Sequence, residues 1–202
     1  LLSLLCYMQV TSKNKLYFAS LLTFVLSLLS SQNAVVLALI FPLYEFAFGG
    51  LKKNWKKSIP FFVISGLYTM LYLSKLGQRA EALSSSGYAG EKVFYNPLLQ
   101  IPVAITSYFE LIFWPDMLTL YHSETIYTIV QYGVRLTLFL GLLAGTIFSL
   151  RYTRTICFWF FFFLITLIPT LNPFGLTWIV AERYVYLGSI GIFVIIAFFL
   201  AK

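Results

Sequence analysis

Apolar residues run through this chain in long unbroken stretches, at 1–10, 16–30, 34–48, 59–75, 126–150, 155–170 and 184–201. Short polar connectors separate them, with one long exception at 76–125. Continuous runs predict helices, because barrel strands would alternate apolar and polar positions. A helix needs about 20 residues to cross bilayer hydrocarbon, so several of the runs must borrow from their flanks. The pattern therefore predicts an all-α fold, a polytopic transmembrane helix bundle of about seven membrane helices forming a single transmembrane domain over 1–202. Inside the long connector, 97–113 is apolar as well. Pro97, Pro102, Glu110 and Pro115 suit a re-entrant or interfacial helix at the outer leaflet better than a crossing one.

Charge orients these runs. Lys13 and Lys15, then Lys52, Lys53, Lys56 and Lys57, then Arg151 and Arg154, and finally Lys202 form short cationic clusters between apolar stretches. Cytoplasmic connectors collect such residues. With these clusters inside, run 59–75 leads outward and 126–150 returns, so 76–125 lies outside, as do 30–33 and 171–183. A third crossing at 97–113 would put Arg151 and Arg154 on the wrong side. The acids, amides and the single histidine thereby gather on the extracytoplasmic face.

Composition narrows the class. The 202 residues are 60% hydrophobic and 10% charged, with a mean hydropathy of +0.86. A soluble domain of this size cannot hide so much apolar surface, which excludes a water-soluble enzyme, a disordered tail and a disulfide-stapled module. The net charge of +7 sits in loop clusters, so nucleic acid is not an expected partner. Cys6 and Cys157 lie in apolar stretches and offer no metal spacing. The chain opens at Leu1 within an apolar run and stops at Lys202 after another, which reads as an internal piece of a longer protein.

Several polar residues carry candidate chemistry. Glu182 and Arg183 open the last helix at a membrane boundary, where both side chains reach water or headgroups, or Arg183 holds a lipid phosphate with bidentate geometry. Arg135 lies nine residues into run 126–150, roughly 14 Å along a helix. A cation at that depth needs an acid or a polar cavity, and Glu110 is a candidate partner, either in a structural ion pair or facing substrate. Asp116, His122 and Glu124 fall within nine residues, but their spacing is not diagnostic for a divalent metal, and no metal ligand set is assigned. Trp114 and Tyr121 are candidates for stacking on a sugar, against the plainer reading of interfacial aromatics. Glu45 precedes Gly49 and Gly50, and snorkelling toward Lys52 and Lys53 accounts for it. No phosphate-binding glycine loop and no nucleophile elbow is present.

Three segments resemble one family. They are Ser30-Ser31-Gln32-Asn33-Ala34-Val35-Val36 with Phe41-Pro42-Leu43-Tyr44-Glu45-Phe46, Phe109-Glu110-Leu111-Ile112-Phe113-Trp114-Pro115 running into Leu118-Thr119-Leu120-Tyr121-His122, and Ile168-Pro169-Thr170-Leu171-Asn172-Pro173 leading to Ala181-Glu182-Arg183-Tyr184-Val185-Tyr186-Leu187. They resemble the GT-C class of membrane glycosyltransferases, in particular the O-mannosyltransferase-like branch with C-terminal tetratricopeptide repeats. The resemblance implies transfer of a hexose, mannose in that branch, from a polyprenyl-phosphate donor to an acceptor hydroxyl on a protein or glycan. It makes Arg183 a contact of the lipid phosphate or active site, with Glu182 and Tyr186 beside it and Arg135 as a further donor-binding candidate. The outer-loop candidates are Glu110, Trp114, Asp116, Tyr121 and His122. The family's first motif usually carries a Lys-Glu pair where this chain has Ser31 and Gln32. Its catalytic acid belongs to a first outer loop, expected upstream of Leu1, so no catalytic residue is assigned within the chain.

The implied setting is an integral membrane protein of the cell membrane, or of the endoplasmic reticulum membrane in a eukaryote, with its active face extracytoplasmic. Its partners are membrane lipid, lipid-linked sugar and the acceptor. No cofactor is expected beyond the lipid donor itself. Two alternatives differ in class: a transporter or lipid-linked-oligosaccharide flippase with Arg135 on its path, and a non-catalytic membrane scaffold. A transporter predicts internally repeated halves with broken helices near the midplane, and no such repeat is visible.

Overall fold

The computed structural model describes residues 1–9, 14–74, 97–115, 128–170 and 182–201, and all regular structure among them is helical. The chain divides into two compact units, Leu1–Ser85 and Ser86–Lys202.

The first unit begins with α1 (Leu2–Met8) and α2 (Asn14–Ser30). Two small residues let these helices approach: the Ser3 hydroxyl donates to the Ser20 carbonyl and the Ser20 hydroxyl to the Ser3 carbonyl, each at 2.7 Å. The run expected at 34–48 is not one continuous helix. It forms a 3₁₀ turn at Gln32–Val36, α3 at Leu37–Tyr44 and a wide π turn at Glu45–Gly49. Pro42 within α3 removes a donor from the ladder. Gly50, at φ +77°, then turns the chain into α4 (Leu51–Ser74) through a conformation that a side chain would strain. The four lysines read as a loop thus lie inside the first two turns of α4. Lysine is a good helix former, and nothing from Leu51 to Ile59 interrupts the helix. Phe24, Phe41 and Phe61 fill the core of this unit, with the Phe41 and Phe61 rings stacked at 3.8 Å.

The second unit holds α5 (Pro97–Phe113), α6 (Ile129–Ser149), α7 (Arg154–Leu167, continuing as a 3₁₀ turn to Thr170) and α8 (Glu182–Leu200). Its core is Ala104, Ile105 and Tyr108 of α5 against Phe160, Phe163 and Leu167 of α7 and Ile192 of α8. Helices α7 and α8 are pressed so close that a methyl group on Gly191 would collide with the Trp159 carbonyl oxygen. In α5, residues 102–108 are all buried, so two turns are covered on every side. Helix α6 starts three residues later than the apolar run that announces it. A capping box sets the boundary: the Gln131 amide donates to Thr128 Oγ1 at 3.4 Å and the Thr128 amide to Gln131 Oε1 at 3.0 Å.

Among the described residues, α6 is the one helix long and apolar enough to cross a membrane, judged by length and composition. It is also mostly uncovered by the protein, with Val134, Leu138, Leu140, Ile147 and Phe148 exposed. Five further apolar helices among the described residues run to 10–17 residues, and α4, at 24 residues, spends its first two turns on lysine-rich sequence. At 1.5 Å per residue the 14 residues of α7 reach about 21 Å, short of the roughly 30 Å of hydrocarbon. The helices by themselves therefore do not amount to seven spans.

Candidate functional site

Helices α5 and α6 bring together two of the residues singled out by sequence. Arg135 Nη2 donates to Glu110 Oε2 at 2.8 Å, forming an ion pair. Because α6 begins at Ile129, Arg135 lies six residues in, roughly 9 Å along the helix rather than the deeper position that the apolar run implies. The second guanidinium nitrogen is held by hydroxyls: Arg135 Nη1 donates to Ser107 Oγ at 2.8 Å and to Thr106 Oγ1 at 3.3 Å. The Thr106 hydroxyl sends its own proton back to the carbonyls of Pro102 and Val103, at 2.8 and 3.0 Å, which leaves its lone pairs for the arginine.

Thr106 and Ser107 escaped the sequence reading, although a signal for them existed. They stand four and three residues before Glu110, the spacing that puts side chains on one helix face. On α5 this face carries two acceptors and a carboxylate, a complete receptor for one guanidinium.

The pair lines a groove of about 560 Å³ between α5 and α6. Phe109, Phe113, Val130, Val134, Leu138 and Leu142 form its apolar walls, while Thr106, Glu110, Gln131 and Arg135 supply its polar lining. A second groove of about 460 Å³ shares Phe109, Phe113, Leu138 and Leu142 and continues along Gly141 and Gly145. The arrangement suits an elongated apolar molecule with an anionic group at one end. Arginine offers planar, charge-assisted donors to phosphate or carboxylate, and apolar walls take up a chain.

Of the remaining candidates, Trp114 and Tyr186 have side chains among the described residues. Trp114 is exposed just beyond the end of α5, its amide donating to the Glu110 carbonyl at 2.7 Å. Tyr186 on α8 is 80% exposed. Glu182 and Arg183 occupy the first positions of α8, but their side chains lie outside the described residues, as do Asp116, Tyr121 and His122 entirely. Among the described residues no group of three or more His, Cys, Asp or Glu side chains is placed to hold a metal ion.

A second polar cluster corrects the reading of Glu45. This residue does not snorkel toward Lys52 and Lys53. It is 4% exposed, with Oε1 accepting from the Tyr7 hydroxyl and Oε2 from Asn54 Nδ2, both at 2.9 Å. Tyr7 comes from α1 and Asn54 from α4, so two distant donors satisfy the carboxylate inside the first unit and draw it inward. Comparison with protein-family models, with curated proteins and with solved structures finds no match for this chain.

Proposed function

We propose that this chain is the lipid-donor portion of an integral membrane glycosyltransferase of the GT-C type, transferring a hexose, mannose by resemblance, from a polyprenyl phosphate to an acceptor hydroxyl at the extracytoplasmic face. In this reading the apolar runs make a multispan bundle, with the shorter helices extended at their ends by flanking residues. The groove between α5 and α6 carries the proposal: apolar walls for an isoprenoid chain, with Arg135 among the lining residues for its phosphate. The three sequence segments that resemble the GT-C class lend independent support, and by that resemblance Arg183, with Glu182 and Tyr186 beside it, is a further candidate contact of the lipid phosphate.

The chemistry asked of the protein is simple. The acceptor oxygen attacks the anomeric carbon, the bond to the phosphate oxygen breaks with its electron pair leaving on the lipid phosphate, and a general base takes the acceptor proton. Arginine stabilises the charge that grows on the departing phosphate, an electrostatic role in a water-poor setting. The base is not assigned to a residue of this chain.

The test is transfer of radiolabelled mannose from polyprenyl-phosphate mannose by the full-length protein in its membrane, since this polypeptide alone, without the base, is expected to be inactive. Arg183→Ala, expressed at the wild-type level, is expected to lose most of the transfer. Wild-type turnover in that variant would remove Arg183 from the site, and donor binding that a neutral polyprenol competes as well as polyprenyl phosphate would overturn the lipid-phosphate reading.

A further inference from the structure

The ion pair at the groove is asymmetric. Arg135 is 19% exposed and anchored through Nη1 to Ser107 and Thr106, whereas Glu110 is 61% exposed. Of the two, Glu110 is the one free to leave, because its carboxylate already meets solvent and rotation outward costs little desolvation. Arg135 would have to abandon two hydroxyl acceptors and carry a charge out of a half-buried position.

We propose that Glu110 is a built-in competitor, its carboxylate occupying the Arg135 Nη2 that the phosphate of a polyprenyl lipid takes on entering the groove. This rests on the reading of the groove as a lipid-phosphate site and adds a regulatory residue to it. No covalent bond changes. One charge-assisted hydrogen bond from Nη2 is exchanged for another, and the carboxylate turns to water. Phosphate is the better partner for a guanidinium, since it presents several strong acceptors and more charge. The carboxylate meanwhile keeps the half-buried cation neutralised. A weakly bound anion of lesser charge cannot displace Glu110, so the pair selects a phosphate over a fatty-acid carboxylate.

The experiment measures equilibrium binding of radiolabelled decaprenyl phosphate to the protein in phosphatidylcholine nanodiscs. Glu110→Gln preserves the side-chain shape and removes the competing charge. It is expected to tighten binding about two- to fivefold, the range that loss of an exposed ion pair releases. Glu110→Asp retains a carboxylate on a shorter arm and is expected to fall between the wild type and Glu110→Gln. Arg135→Gln is expected to weaken binding by about tenfold or more. Unlabelled decaprenol and inorganic phosphate are expected to compete poorly. Binding unchanged or weakened in Glu110→Gln, alongside loss in Arg135→Gln, would overturn the competitor role and leave the lipid-phosphate groove standing. Wild-type binding in Arg135→Gln would overturn the groove itself. Competition by inorganic phosphate equal to that by decaprenyl phosphate would mark a free-phosphate site instead of a lipid one.

Discussion

The two units each enclose an acid within an apolar setting, and they treat it in opposite ways. In the first, Glu45 is wrapped by Tyr7 and Asn54 and sealed from solvent. Both its partners are neutral donors drawn from different helices, so the carboxylate works as a joint between α1, the π turn and α4. In the second, Glu110 stands mostly in the open with a charged partner, at the lip of a groove. A sealed acid with neutral donors ties helices together, whereas an open acid on an anchored cation leaves that cation available for exchange. Architecture and binding are thus separated by exposure and by the charge of the partner.

Substitutions break this contrast in order of size. Glu45→Leu removes the acceptor of both the Tyr7 hydroxyl and the Asn54 amide, and a cost of about 1–3 kcal/mol is expected from the lost buried hydrogen bonds. Thermal unfolding in detergent would show it as a lowered midpoint, and an unchanged midpoint would remove Glu45 from its joint role. Gly191→Ala drives a methyl group into the Trp159 carbonyl, with an expected loss of about 1–3 kcal/mol as α7 and α8 move apart. That loss would place the stability of the second unit in helix packing rather than in its ion pair. Thr128→Ala removes the capping box that starts α6 and is expected to cost about 1 kcal/mol, read as faster amide exchange in its first turn. Glu110→Gln is expected to change stability least, by under about 1 kcal/mol, while altering lipid binding. A large destabilisation there would make Glu110 a joint like Glu45 and erase the distinction between the units.

Orientation has its own check. With Cys6 and Cys157 replaced, a cysteine at Ser85 is expected to react with an impermeant thiol reagent added outside the cell. Labelling only after lysis would reverse the assignment of faces.

Local patterns in the sequence were sufficient for much of this. The apolar runs foretell α2, α6 and α8 to within a few residues, because a continuous apolar stretch of about 15 or more residues without period-two alternation favours a helix. The Thr128-x-x-Gln131 spacing contains the α6 start, and the pairing of Arg135 with an acid follows from the expense of an isolated cation at that depth. Other features were beyond local reach. The break-up of 34–48 into three kinds of turn, the enclosure of α5 over 102–108, and the use of Thr106 and Ser107 as arginine acceptors all depend on which helix lies alongside.

By itself the sequence determined an apolar, helical chain, because helix formation is written within windows of a few turns. Only the tertiary structure decided that Glu45 faces inward to Tyr7 and Asn54, and that Arg135 meets Glu110 across a groove. Those partners are separated by 38, 9 and 25 positions. Their meeting is set by how α1 and α4 pack around the π turn, and by how α5 packs on α6.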